Sequence, residues 1–272
     1  MENYQIKNIT ILGAGKLGQA IANGLVHSEE FDPMSITLTR RNESSLKAFS
    51  ERKYLITTEN SHAVESADLI LLTVGPKDVE IVLEEIHDSL MDGKQVLAST
   101  VTGVSIEQMM NVVGDKIPII RIMPNTAVAI CESMTCLSAN QKHLNSLKAV
   151  RDVFDHLGET MVISEELMAP ATALCAAGLA FFLRSIRAAS QGGIEIGFHA
   201  EDAIILAAQT AKGASTLMMN SKKHPESEID KVTTPRGITI AGLNEMEHQG
   251  FSSAMIKAIV TSANKIEKLL EK

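Results

Sequence analysis

Six residues near the start of the chain, Gly13-Ala14-Gly15-Lys16-Leu17-Gly18, have the types and spacing needed to hold a pyrophosphate. Gly13 permits a tight turn, Gly15 lets phosphate approach the backbone, and Gly18 lets a helix pack closely on a strand. The spacing alone is a weak signal; it gains meaning when a strand precedes it and a helix follows. Here the apolar run Asn8–Leu12 predicts the strand and Leu17–His27 predicts the helix. The N-terminus of that helix would offer free N–H groups and a partial positive charge to the phosphates. A second feature bears on which dinucleotide fits. The next predicted strand, Ser35–Thr39, runs straight into Arg40-Arg41-Asn42. An acidic residue there would bind the ribose hydroxyls of NAD, whereas arginine suits the 2′-phosphate of NADP. Asp32 is near the expected distance but precedes the strand and adjoins Pro33, which reads as a turn. NADP(H) is therefore the preferred cofactor, with NAD(H) as the alternative.

Such a turn needs a sheet behind it. Further strands are predicted at Tyr54–Thr57, Asp68–Val74, Gln95–Ser99, Pro118–Ile122, Met134–Ser138 and Met161–Ile163. Between them lie amphipathic stretches at Glu43–Glu51, Ser61–Ser66, Val79–Leu90, Ile106–Val112 and Lys142–His156. The near-continuous apolar run Asp68–Val74 is typical of a strand buried on both faces of a parallel sheet. Strand–helix alternation of this kind indicates an α/β, doubly wound sheet of Rossmann type. The pattern stops near Ser164. Beyond it Ala176–Ile196, Glu201–Asn220, Pro225–Lys231, Gly237–His248 and Ser252–Leu270 all read as helices, and no strand is expected. Two domains follow: a dinucleotide-binding one over 1–164 and an all-α one over 165–272. Glu201–Asn220 is apolar or small almost all round, and such a helix must be buried. A domain of this size has little interior to spare, so a second subunit is expected to cover it, giving a homodimer through the C-terminal half.

Composition narrows the function classes. The chain has 272 residues and a net charge of −8, without a long basic run. A nucleic-acid-binding role would need a basic patch. Met1 to Lys7 is polar and Ile9–Leu12 is too short for a signal-peptide core. No stretch is expected to approach the roughly 18 uninterrupted apolar residues of a membrane span. The three cysteines, Cys131, Cys136 and Cys175, are an odd count without a CxxC pair. They read as reduced thiols of a cytoplasmic protein, and neither a disulfide framework nor a metal site is expected. The eight histidines form no triad or metal spacing. The Glu165-Glu166 pair reads as the first turn of a helix, where carboxylates favour the dipole.

Two further segments point to a family. Arg121-Ile-Met-Pro-Asn-Thr126 closes a predicted strand, and Val232-Thr-Thr-Pro-Arg-Gly-Ile-Thr-Ile-Ala-Gly-Leu243 is followed by Glu247-His-Gln-Gly-Phe251. Together with the glycine turn, they resemble the pyrroline-5-carboxylate reductase family over essentially the whole chain. The resemblance implies reduction of Δ1-pyrroline-5-carboxylate to L-proline by NAD(P)H, the last step of proline synthesis. It also implies a helical domain that interleaves with a second subunit, in dimers that can build larger rings. By position, it assigns Gly13, Ala14, Gly15, Lys16, Leu17 and Gly18 to the pyrophosphate and Arg40 and Arg41 to the adenosine ribose. Val74, Gly75 and Pro76 would end the fourth strand beside the cofactor, and Asn125 would lie near the nicotinamide. Thr234, Gly237, Ile238 and Thr239 would form the substrate loop, with Thr239 near the ring nitrogen as the catalytic side chain. The chain departs from the family at Cys175-Ala-Ala-Gly-Leu-Ala180, where Ser-Gly-Ser-Gly-Pro-Ala is common. Other departures are Gly75 for a lysine, Ala127 for a proline, and Arg236 for the first glycine of Pro-Gly-Gly.

The residues themselves suit this chemistry. Gly237 removes side-chain bulk, the predicted helix behind it would attract a carboxylate, and the Thr239 hydroxyl can donate or accept a hydrogen bond. Arg236 reads as pointing to solvent or a subunit contact. Two alternatives share the fold: a reductase of a different cyclic imine, and a non-catalytic NADP(H)-binding homologue. A β-hydroxy acid dehydrogenase would want a lysine on the first long helix, and Ala176–Ile196 offers only Arg184 and Arg187 as basic residues.

Overall fold

A computed structural model describes residues 5–270. Eight strands are present: β1 Ile9–Leu12, β2 Ile36–Thr39, β3 Leu55–Thr57, β4 Leu69–Leu72, β5 Val96–Ser99, β6 Ile119–Met123, β7 Ser133–Ala139 and β8 Gly158–Val162. The helices of the first half are α1 Lys16–His27, α2 Lys47–Ser50, α3 Asn60–Glu65, α4 Val79–Ile86, α5 Ile106–Val113 and α6 Leu144–Asp155. After the last strand come α7 Met168–Ala171, α8 Gly178–Glu195, α9 Ala200–Ser221, α10 Pro225–Val232, α11 Ile238–His248 and α12 Phe251–Leu270.

The strands form one sheet in the order β3-β2-β1-β4-β5-β6-β7-β8. All neighbours are parallel except β6 and β7. The chain leaves β1 toward one edge and returns to β4 on its other side, so the switch point lies beside β1. Period-two alternation divides the core. In β4, Leu69 and Leu71 join the core under α1 and α6, while Ile70 and Leu72 join the one under α3, α4 and α5. That double cover is why β4 reads as an unbroken apolar run.

The chain divides into two compact units, one running to Ala176 and including the end of α12 from Ala263, the other Ala177–Ser262. In the second, α8 and α9 form an antiparallel hairpin, with Gly193 facing Ala203 at close range. Among the described residues of α9 only Ala203 is buried, while Ile205, Leu206, Leu217 and Met219 are exposed. The apolar helix expected to need a covering partner is therefore uncovered within one chain.

Several expectations are corrected. Glu43–Glu51 is a 3-10 turn over Glu43–Leu46 followed by one short helical turn, because the Asn42 side chain caps Ser44 N–H at 3.1 Å. The fourth strand stops at Leu72, and Val74 lies in a bend beyond it. Val79–Leu90 ends as a helix at Ile86, with a 3-10 turn after it. The first long helix does not start at Ala176: helical backbone runs from Glu165 to Glu195 through a π-type turn at Thr172–Ala177. That run is long and apolar enough, by length and composition, to cross a membrane. The sequence expectation that no segment comes near a span is thereby amended. The reason is local: from Met168 to Leu183 the only polar side chain is Thr172.

Candidate active site

The glycine turn sits at the switch point and is held by two threonines. Gly13 has φ +80°, and a Cβ there would collide with Cγ1 of Val74. Thr39 at the end of β2 binds both sides of the turn: its Oγ1 accepts from Gly13 N–H at 3.4 Å and its carbonyl accepts from Ala14 N–H at 2.8 Å. Thr73 Oγ1 lies 2.9 Å from the Gly13 carbonyl and 3.0 Å from that of Leu12, and donates toward them. A Cβ on Gly18 would approach Thr73 Oγ1 at 2.7 Å and Ile11 at 3.0 Å, so helix and strand pack at the distance only glycine allows. Gly15 is the exception. Its φ is −77°, and the atom nearest to an added Cβ is the Gly13 carbonyl oxygen at 3.7 Å. Neither backbone strain nor a close neighbour among the described residues demands glycine there. Gly15 is the N-cap of α1 without a side-chain cap, which leaves the first amides of Lys16, Leu17 and Gly18 free for an anion.

Arg40 and Arg41 follow β2 at the same end of the sheet, both exposed. Arg41 reaches Asp78 at 3.7 Å, in the turn that Gly75 and Pro76 open. Such an exposed pair contributes about 0–1 kcal/mol, so it leaves the guanidinium available. Gly13–Gly18, Arg40–Arg41 and Val74–Pro76 thus come together at one end of the sheet. Gly75 has an ordinary φ of −70° and needs no glycine for backbone reasons.

Asn125 is buried, and the protein occupies much of its polar side chain. Oδ1 accepts from Ala127 N–H at 2.9 Å, and Nδ2 donates to the Cys175 carbonyl at 3.1 Å. The strand leading to it carries an element that sequence reading missed. Arg121, 6% exposed in its side chain, pairs with Glu165 at 3.4 Å. The same carboxylate accepts the Ile106 N–H at 2.7 Å, at the start of α5. Glu165 therefore works outside its own turn, tying β6, α5 and the helical run together. Burial pulls the Arg121 guanidinium below its usual pKa, and Glu165 counteracts that. Among the described residues, Arg121 Nε has no hydrogen-bond partner.

In the helical unit, Thr234, Gly237, Ile238 and Thr239 form one turn and the start of α11. Gly237 N–H donates to the Thr234 carbonyl at 2.9 Å, and a Cβ on Gly237 would strike Thr234 Oγ1. Arg236 is exposed with φ +60°. Proline followed by a positive φ is the pattern of a type II turn, whose third residue favours glycine. Arg236 thus carries a side chain at a backbone conformation that favours glycine. Arg236→Gly is expected to raise stability by about 1 kcal/mol in a urea melt while turnover stays within twofold; a destabilised variant would show that Arg236 makes a contact of its own. Gly237 caps α11 without a side-chain bond, so the amides of Ile238 and Thr239 are free while that of Gly237 is not. His199 and His224 are N-caps of α9 and α10, and no group of three His, Cys, Asp or Glu could hold a metal among the described residues.

Proteins that join such a dinucleotide-binding sheet to an all-helical half form one class, the two-part Rossmann-fold oxidoreductases, and this chain has that organisation. Residues 8–102 match the family model described as NADP oxidoreductase, coenzyme F420-dependent, and residues 165–269 match the one described as pyrroline-5-carboxylate reductase dimerisation. The chain belongs to the pyrroline-5-carboxylate reductase family. It is 50% identical to pyrroline-5-carboxylate reductase 1 of Dictyostelium discoideum, covering 96% of this chain and 49% of the relative, so it spans about half that protein's length. It is 44% identical to pyrroline-5-carboxylate reductase 2 of the same organism, over 96% of this chain and 93% of the relative. Among solved structures it is similar to a Coxiella burnetii pyrroline-5-carboxylate reductase (TM-score 0.86, 26% identity, 97% and 99% of the two chains). It has the fold of the Plasmodium falciparum pyrroline carboxylate reductase solved with NADP bound (TM-score 0.87, 24% identity, 99% of each chain). The dimerisation match, over residues 165–269, includes α9 and its uncovered apolar surface.

Proposed function

We propose that this protein reduces Δ1-pyrroline-5-carboxylate to L-proline with NADPH, as a homodimer formed through residues 165–272, with 1–164 as the dinucleotide-binding domain. The observation that carries the cofactor half is Gly15: a glycine the protein's own packing does not require, at the uncapped N-terminus of α1. In this reading the amides of Lys16 to Gly18 hold the pyrophosphate, and Arg40 and Arg41 take the 2′-phosphate in preference to the bare ribose of NAD(H). Val74 and Pro76 flank the dinucleotide, and Asn125 shapes the wall near the nicotinamide. When bound, the cofactor supplies the hydride for the C=N carbon. The chain's own part is to bind, orient and dry the imine. The free amides of Ile238 and Thr239 hold the carboxylate at the start of α11, Gly237 leaves room for it, and Thr234 closes the turn. The Thr239 hydroxyl hydrogen-bonds the ring nitrogen and is the catalytic side chain. Holding the two reactants at about 3–3.5 Å would itself contribute several kcal/mol. The three free thiols fit a reducing compartment such as the cytoplasm. The acidic balance of −8 favours neither nucleic acid nor an anionic membrane surface as a partner.

The test is the loss of NADPH absorbance when the protein meets pyrroline-5-carboxylate. Thr239→Val is expected to lower kcat about a hundredfold, with Thr239→Ser recovering most of it. A rise in KM with unchanged kcat would make Thr239 a ground-state binding group. Tight NADPH binding with no turnover would overturn the enzymatic reading.

A further inference from the structure

Two of the three cysteines lie together although 39 residues separate them in sequence. Cys136 is on β7, nearly fully buried, and opposite Met123 of β6. Cys175 is in the π-type turn of the helical run and half-buried. Both thiols belong to one small apolar cluster with Met123 and Met168, apart from the two main cores. Their proximity in that cluster favours the thiolate at Cys175, drawing its pKa down to about 7 despite burial, and keeps Cys136 a thiol, its pKa pushed up. The arrangement pairs a half-buried, more easily ionised sulfur with a buried second one. Among the described residues, the pair belongs to no group of three His, Cys, Asp or Glu that could hold a metal. Cys131 is set apart: its thiol donates to the Gly24 carbonyl at 3.6 Å, and burial raises its pKa.

We propose that Cys136 and Cys175 are a site of reversible disulfide formation with low-molecular-weight disulfides, and that the bond lowers turnover through Asn125. The Cys175 thiolate attacks one sulfur of the small disulfide and expels the other as a thiolate. Cys136 then attacks Cys175 Sγ, its proton passing to a departing thiolate. The protein gives up two thiol hydrogens and two electrons, and the small disulfide becomes two thiols. The consequence follows from a single contact. The Cys175 carbonyl holds Asn125 Nδ2 at 3.1 Å, so a covalent tie from that turn to β7 changes the support of the Met123-Pro124-Asn125 segment. This second half rests on the enzymatic reading above; the first does not.

The full-length protein would be incubated with oxidised glutathione, alkylated with iodoacetamide and mapped by mass spectrometry. Three alkylated cysteines are expected in the reduced protein and one, Cys131, in the oxidised protein, with a Cys136–Cys175 linked peptide that dithiothreitol removes. Cys136→Ser is expected to stop at a stable glutathione adduct on Cys175. NADPH-dependent turnover should fall several-fold on oxidation of the wild type and stay within twofold for Cys175→Ser. Three alkylatable thiols after oxidation, or a linked pair with unchanged turnover, would overturn the proposal. A linked pair in a protein that is inactive even when reduced would count against the enzymatic reading and leave the disulfide site standing.

Discussion

Replacing Gly15 by alanine is expected to leave the fold intact and to weaken NADPH binding about a hundredfold, roughly 3 kcal/mol. The backbone at Gly15 has φ −77°, which any residue adopts, and an added methyl would sit 3.7 Å from its nearest neighbour. Alanine should even remove a little unfolded-chain entropy there. In the function proposed above, what the methyl obstructs is the phosphate over the N-terminus of α1. Gly13→Ala is the contrast. Its φ of +80° and the collision with Val74 act in the protein itself. About 2–4 kcal/mol of stability should go together with cofactor binding. Thermal melts and fluorescence titrations with NADPH on the two variants separate the effects. A Gly15→Ala protein that binds NADPH normally would remove the glycine turn from the binding site.

Glu165→Ala is expected to cost about 3 kcal/mol, while Arg121→Met costs about 1 kcal/mol or less. The two residues form one ion pair, so a simple accounting would make the losses equal. Burial makes them unequal: Arg121 is 6% exposed and Glu165 is 33%. Removing Glu165 strands a cation inside the protein and also frees the Ile106 N–H. Removing Arg121 leaves a carboxylate that still accepts from Ile106 and reaches water, and it eliminates the unpartnered Nε. Urea unfolding of both variants decides the matter. Equal losses, or a larger one for Arg121→Met, would show that the arginine is anchored by something other than Glu165.

Much of the fold was legible in the sequence because it depends on local periodicity. Seven of the eight strands lie within two residues of where the apolar runs placed them, the eighth, expected at Met161–Ile163, runs over Gly158–Val162, and the strand–helix alternation indicated a doubly wound sheet. The errors sit at element ends, where side chains intervene. Asn42 turns the start of one helix into a 3-10 turn, and β4 stops at Leu72, two residues short of Val74. The helical run from Glu165 to Glu195 passes through Pro170 and begins well before the helix expected at Ala176–Ile196. In the first turn, proline has no hydrogen bond to lose. The candidate site was half legible. Gly13, Gly18 and Gly237 stand where the structure needs glycine, and Arg236 is a departure whose cost appears only in its φ.

What the sequence by itself determined is a glycine turn between strand and helix, two arginines after the second strand, a change from α/β to all-α near Ser164, and the family to which the motifs belong. Each is a property of neighbouring residues, so a linear reading can reach it. Only the tertiary structure decided how the turn is held. Thr39 and Thr73 are 34 residues apart and buttress it from two strands. Arg121 finds Glu165 across 44 residues, and Cys175 meets Cys136 and carries Asn125 on its carbonyl. No spacing rule predicts such pairs, because sheet order and the path of a helical run bring them together. It also decided that Gly15, alone among the three turn glycines, is free of the protein's own packing.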